Sequence, residues 1–137
     1  HERSSAASDV YKRQLSNAVN NLAVGNIAGL CQELKIQLIH ISTDYVFDGL
    51  NNIPLQENDK RNPQNYYGRT KLDGENKILS AMLENSAIIR TSWLYSNLQN
   101  NFVNKIISKL NNQKKILVVE EEVGSPTNAI DLAKAVF

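Results

Sequence analysis

The chain contains a single cysteine, Cys31. No disulfide can form within it, so a fold held by covalent staples is excluded. Cys31 lies among Ile27, Leu30 and Leu34 in a helical pattern, where a thiol is expected to act as a small buried hydrophobe. Neither sign of charge dominates: 15 basic and 14 acidic side chains leave a formal net charge of +1. A near-neutral chain without a long basic run has no electrostatic footprint for nucleic acid or an anionic membrane. No apolar run approaches the roughly 18 residues that a membrane span needs. The polar N-terminus has no apolar h-region, so no signal peptide is expected. Together with the lack of disulfides this leads to a cytoplasmic expectation. Glu120, Glu121 and Glu122 are adjacent, so their side chains cannot all converge, and no metal site is expected.

What is present is ordinary for a globular protein. The 137 residues are 42% hydrophobic and 21% charged, enough for one modest domain with a core and too little for two. Residues 1–14, HERSSAASDVYKRQ, are small, polar and charged, with no helical or strand period. They read as a non-native leader and are set aside. Residues 15–137 then form the domain. Leu15, Val19, Leu22, Ala23, Ile27, Leu30, Cys31 and Leu34 recur with a helical period, predicting a helix over Leu15–Leu34. QLIHIS, Gln37–Ser42, predicts a buried strand, and Asp48–Asn65 a long surface loop. Tyr67, Leu72, Leu79 and Met82 mark the apolar side of a helix over Tyr66–Leu83. Strands are expected at Ser86–Ser92 and Ile116–Val119, with helices at Phe102–Leu110 and from Ile130 to Phe137. Helices alternating with strands argue for an α/β fold with a largely parallel sheet.

The chemistry gathers around Tyr67-Gly68-Arg69-Thr70-Lys71. Residues i and i+4 share a helix face, so the phenol and the ammonium can share a pocket. A free phenol, with a pKa near 10, is a poor acid at neutral pH, and a nearby cation lowers that value. A tuned tyrosine can then give a proton to a carbonyl oxygen as hydride reaches the carbon. Alone the pair is weak evidence, because an amphipathic turn produces the same spacing. Its company is more specific. STDYVFDG, from Ser42, directly follows a predicted strand, and ligand crevices in open α/β sheets lie beyond the carboxyl ends of strands. Thr43 could polarise a substrate oxygen there, or could simply cap a turn with Ser42. A second strand runs into Thr91-Ser92-Trp93. The only tryptophan could wall a sugar or base pocket, or pack in a core. For His40, a satisfied core histidine is expected.

The runs HISTDYVFDG, NPQNYYGRTKLDGE, IIRTSWLYS followed by NNFV, and VGSPT followed by Asp-Leu-Ala, in this order and spacing, resemble the dTDP-4-dehydrorhamnose reductases. These are RmlD-like members of the extended short-chain dehydrogenase/reductase family, and the resemblance runs from about Asn17 to the C-terminus. It implies a partial Rossmann-like, doubly wound parallel sheet with helices on both faces. It implies Tyr67 as catalytic acid, Lys71 lowering its pKa and binding the cofactor, and Thr43 completing the triad. Ile41 and Ser42 would lie along the nicotinamide of NADPH or NADH. Thr43, Asp44 and Trp93 would meet a dTDP-sugar, and Asn20 would have a structural role. A homodimer at full length is left open.

The departures matter too. No Gly-rich turn between a first strand and helix is present to hold the cofactor pyrophosphate, and most of the C-terminal substrate lobe is missing. The chain is therefore expected to be a fragment that is inactive alone and poorly stable through uncovered sheet edges. The whole protein is expected to reduce dTDP-4-dehydro-L-rhamnose at its C4 ketone. The alternatives are another nucleotide-sugar epimerase or dehydratase of the extended family, or a non-catalytic regulatory subunit like that of methionine adenosyltransferase.

Overall fold

A computed structural model describes residues 2–50, 53–84, 86–98, 101–112, 115–117 and 123–137. They fall into two compact units, 1–90 and 91–137.

The first unit opens on a long helical run: α1 (Glu2–Asn17), one π turn (Ala18–Leu22) and α2 (Ala23–Leu34). Asn17, Leu22 and Ala23 all keep right-handed helical dihedrals, so the run is unbroken. The π turn shows in the Ala23 N–H, which reaches back five residues to the Ala18 carbonyl. Helix therefore covers nearly all of the segment set aside as a leader, where no period is readable. There the exposed surface includes Val10 and Tyr11, and Arg13 lies 5.5 Å over the Tyr66 ring. Lys35 ends α2 in the left-handed conformation, φ 54°. Its N–H bonds the Gln32 carbonyl, and that of Ile36 bonds Cys31, the pairing that satisfies the last carbonyls of a helix.

Strand β1 (Ile39–Thr43) follows, then a 3-10 turn (Asp44–Val46), the loop, α3 (Tyr66–Ser80) and β2 (Ala87–Thr91). β1 and β2 pair in a two-stranded sheet. α3 starts at Asn65, whose side chain accepts from the Gly68 N–H at 2.7 Å, a capping bond that satisfies an otherwise unpaired donor. Val24, Ala28 and Ile78 form the core cluster, with Leu38, Ala81, Leu83 and Ile88 packed on it.

In the second unit β3 (Leu94–Tyr95) and β4 (Thr127–Asn128) pair in parallel, with Leu94 opposite Thr127 and Tyr95 opposite Asn128. Helices α4 (Phe102–Asn112) and α5 (Ala129–Val136) complete it. Asn128 caps α5 by accepting from the Ile130 N–H at 2.9 Å.

The α/β class expected from the sequence is present. Two details differ. The described strands form two two-stranded sheets, and between β2 and β3 Trp93 takes a left-handed backbone conformation, φ +46°. The expected third strand is not formed at Ile116 and Leu117, while Val118 and Val119 lie outside the described residues.

The periodicity located the helices correctly and misjudged their buried sides. Leu15, Val19, Leu22, Ile27, Leu30 and Leu34 are exposed, and Cys31 is only half-buried. Val24 and Ala28, between them in sequence, face the core. On α3, which ends at Ser80 rather than Leu83, the expected apolar positions Tyr67 and Leu79 are exposed, as is Met82 in the turn beyond it. Its buried side is Gly68, Thr70, Lys71, Gly74, Glu75 and Ile78, mostly polar or glycine. Among the described residues no helix is long and apolar enough to cross a membrane.

Candidate functional site

The carboxyl end of β1 and the first turns of α3 meet at the site. Two glycines permit this. A Cβ on Gly68 would lie 2.2 Å from the Tyr45 carbonyl oxygen, and one on Gly74 would lie 2.2 Å from that of Asn20. Only a residue without Cβ tolerates such an approach. Helix α3 thus sits directly against the 3-10 turn at one end and the π turn at the other. Asn20 supports the second contact, donating through Nδ2 to Ser16 Oγ and to Thr70 Oγ1, both at 3.2 Å. Ser16 Oγ and Thr70 Oγ1 are 3.0 Å apart. The structural role expected for Asn20 is the one these bonds describe.

Lys71 is buried, and its Nζ donates to the Ile41 carbonyl at 2.7 Å. Burial holds its pKa below the usual lysine range, partly offset by the Glu75 carboxylate. Tyr67, two residues into the cap-defined start of α3, is 47% exposed, and Tyr45 meets its ring edge-on at 6.1 Å. The Tyr67 phenol is held above its ordinary value, by burial first and then by Asp44 and Tyr45. Lys71, expected to lower it, is not among the causes of this shift. The ammonium is engaged with the strand carbonyl, and the charge felt by the phenol is the negative one of Asp44.

Thr43 is buried at the end of β1. Its hydroxyl donates to Asp44 Oδ1 at 3.1 Å and accepts from the Tyr45 N–H at 3.2 Å, so it caps the 3-10 turn. Ser42 is also buried, and its hydroxyl favours the charged form of the Glu75 carboxylate. Ile41, Ser42, Thr43, Asp44, Tyr67 and Lys71 are therefore brought together in the first unit. Trp93 belongs to the second. There it packs on Phe102 at 5.3 Å, and Gly124 lies so close beneath its ring that a Cβ would be 2.9 Å from Cε2.

The sequence reading missed Glu75 and Arg90. Glu75 is fully buried and takes a two-pronged bond from Arg90, Nε to Oε1 at 2.9 Å and Nη2 to Oε2 at 2.8 Å. Arg61 approaches the same carboxylate at 3.6 Å. Burial pushes the Glu75 pKa up, and the bonds from Arg90 and Ser42 with the charges of Arg90 and Arg61 bring it below its ordinary value. Arg90 also lies 5.0 Å over the Phe47 ring and donates to the Glu57 carbonyl at 2.9 Å. A signal was there to be read: Glu75 stands four residues after Lys71, and Arg90 is the one charge in the strand AIIRT.

His40, expected to be a satisfied core histidine, is half-buried, and its buried Nε2 has no hydrogen-bond partner among the described residues. Burial, then the Lys71 charge, lowers its pKa. Among the described residues no cluster of acidic, histidine or cysteine side chains could hold a metal; Glu120, Glu121 and Glu122 lie outside them. An open cleft of about 1200 Å³ lies between the loop at Leu55–Arg61, α3 and β2, and contains none of the expected site residues.

The pattern of one protein family, the RmlD substrate binding domain, matches residues 6–137. A dTDP-4-dehydrorhamnose reductase of Sinorhizobium fredii is 42% identical over 120 residues, covering 88% of this chain and 40% of that protein. Among solved structures, a dTDP-4-dehydrorhamnose reductase of Clostridium acetobutylicum superposes with a TM-score of 0.83 at 38% identity. Another, from Bacillus anthracis and in complex with NADP, gives 0.83 at 35% identity. Each alignment covers 92% of this chain and 44% of the solved one. The chain thus spans less than half the length of these relatives, and the likeness to the solved structures places its fold in the Rossmann-like α/β class.

Proposed function

The chain belongs to the RmlD substrate binding domain family, and from that premise we propose that the full-length protein reduces the C4 ketone of dTDP-4-dehydro-L-rhamnose to dTDP-L-rhamnose with NADPH or NADH. The observation that carries this reading is the grouping at one strand end: Tyr67, Lys71 and Thr43 around the carboxyl end of β1. Reduction of a ketone needs a proton for the oxygen as well as a hydride for the carbon. The Tyr67 phenol carries its proton at neutral pH, as a donor must, and its raised pKa makes it a weaker acid until a cation is brought near. Its half-exposed ring leaves the hydroxyl within reach of a ligand.

The donor set fits a nicotinamide nucleotide. Lys71, an ammonium with three donors of which the Ile41 carbonyl takes one, would hold a ribose hydroxyl. The backbone of Ile41 and Ser42 would flank the nicotinamide. When bound, the dinucleotide supplies the hydride. Tyr67 protonates the ketone oxygen, and the hydroxyl of Thr43 orients it, exchanging its bond to Asp44 for one to the substrate. Asp44, beside Thr43 at the end of β1, would contact the sugar nucleotide.

The test uses the full-length protein. NADPH oxidation on dTDP-4-dehydro-L-rhamnose is followed for the native protein and for Tyr67→Phe. Native turnover that falls by about 10²–10⁴-fold in the variant supports the assignment, the range typical of a lost general acid. No native turnover by folded, cofactor-loaded protein rejects it.

A further inference from the structure

The fully buried Glu75 has no part in proton or hydride transfer, yet it is tied to the elements that carry the site. It lies one helical turn after Lys71, on the same face of α3. The hydroxyl of Ser42, the residue next to Thr43, favours the charged form of the Glu75 carboxylate. One turn earlier, Lys71 bonds the carbonyl of Ile41 at 2.7 Å. Two successive residues of β1 thus meet side chains four residues apart on α3, Ile41 through the Lys71 bond and Ser42 through its effect on Glu75. Glu75 is held in turn by both prongs of Arg90 from β2, at 2.9 and 2.8 Å.

Burying such an ion pair rarely adds stability over apolar packing, so thermodynamic support alone is a poor account of it. We infer that Glu75 is a positioning residue: clamped by Arg90, its carboxylate fixes the end of β1 through Ser42 and steadies the Lys71 ammonium one turn away, setting Thr43 and Lys71 relative to Tyr67. This rests on the proposed reductase reading for its effect on turnover, but not for its effect on Lys71. The titratable group facing Lys71 from β1 is His40. From α3 it is Glu75, beyond which lie Arg90 of β2 and Arg61 of the loop.

The experiment compares full-length native protein with Glu75→Gln, which keeps the shape and removes the charge. Two readouts are taken on protein whose cooperative melting shows it folded: kcat and KM for the sugar nucleotide, and the titration of Lys71 followed by NMR of ¹³C-methylated lysine. The expected result is a kcat lower by about 10²-fold, the cost of a small misplacement at a reacting centre, with KM little changed. Lys71 is expected to titrate about one pH unit lower, the effect of losing a neighbouring opposite charge. Folded Glu75→Gln protein that keeps the native kcat, or in which Lys71 titrates unchanged, overturns the inference. If Arg90 left alone unfolds the single variant, the pair Glu75→Gln with Arg90→Gln removes both charges and is judged by the same titration. If the native protein shows no turnover at all, the reductase reading fails, and the Lys71 titration still decides the role of Glu75.

Discussion

A single amide, that of Asn65, holds the first turn of α3, and Tyr67 stands within that turn. Replacing Asn65 by Ala should cost about 1 kcal/mol of stability, the usual value of a lost helix cap. Urea denaturation of the two proteins measures it, and equal midpoints would show that the bond carries no weight. Glu75 makes a second residue-level prediction. Its folded pKa lies below its ordinary 4.5, so the stability it contributes is fully present above that value and is lost as pH falls through the folded pKa. Glu75→Gln should therefore flatten the fall in melting temperature on acidification below about pH 4.5. A fall as steep as in native protein would count against the assignment. The Tyr-x-x-x-Lys pair and the residues after β1 were legible as a site because their spacing and order are local. The partners that govern their charge were not. Lys71 bonds Ile41, thirty residues away, and Glu75 bonds Arg90, fifteen away, and no helical period reports such pairs.

Among the elements, α3 departs furthest from what its sequence pattern implies. Hydrophobic periodicity finds the side of a helix that is greasy, and on α3 the buried side is made of Gly68, Thr70, Lys71, Gly74 and Glu75 with Ile78. The helix buries Lys71 and Glu75 and exposes Leu79. The run YGRTKLDGE held the missing clue: glycines at 68 and 74 align with the polar residues on one side, which fits close approach to another backbone better than flexibility. Gly74→Ala should destabilise by about 1–3 kcal/mol, the range for forcing a methyl into a filled space, because the new Cβ meets the Asn20 carbonyl. Gly29→Ala is the control, since a Cβ there meets nothing within 4 Å. On a solvent-facing helix position it should be neutral or slightly stabilising. Chemical denaturation separates the two, and a Gly74→Ala protein as stable as the control would contradict the contact.

For the whole molecule, the distribution of burial sets the expectation. The buried apolar side chains among the described residues are Val24, Ala28, Val46, Phe47 and Ile78, all in the first unit. Helices α4 and α5 of the second have no buried residue among those described. Local stability follows buried apolar contact. Hydrogen exchange on this 137-residue chain should find the slowest amides in α2 and α3 and fast exchange throughout α4 and α5. Equal protection in both units would show a core that the burial pattern does not contain. The order of α2, β1, α3, β2, α4 and α5 was readable because it depends on short-range period and turn residues, whereas α1 has no readable period and β3 and β4 are two residues each. Which faces are covered was not, because that depends on what each face meets.

The π turn at Ala18–Leu22 has a consequence for insertions and deletions. It accommodates one more residue than an α-turn, and each residue of a helix advances the side chains by about 100°. On its amino-terminal side Ser16 reaches Thr70; on its carboxyl-terminal side Val24 and Ala28 reach the core beside Ile78. Both contacts are made to the same helix, α3, so the turn acts as an angular spacer that keeps two stretches of one rod in phase with a single partner. Removing one residue from it would restore a regular α-helix and rotate one of those contacts away. A lineage that lost that residue would have to regain the missing angle elsewhere along the rod.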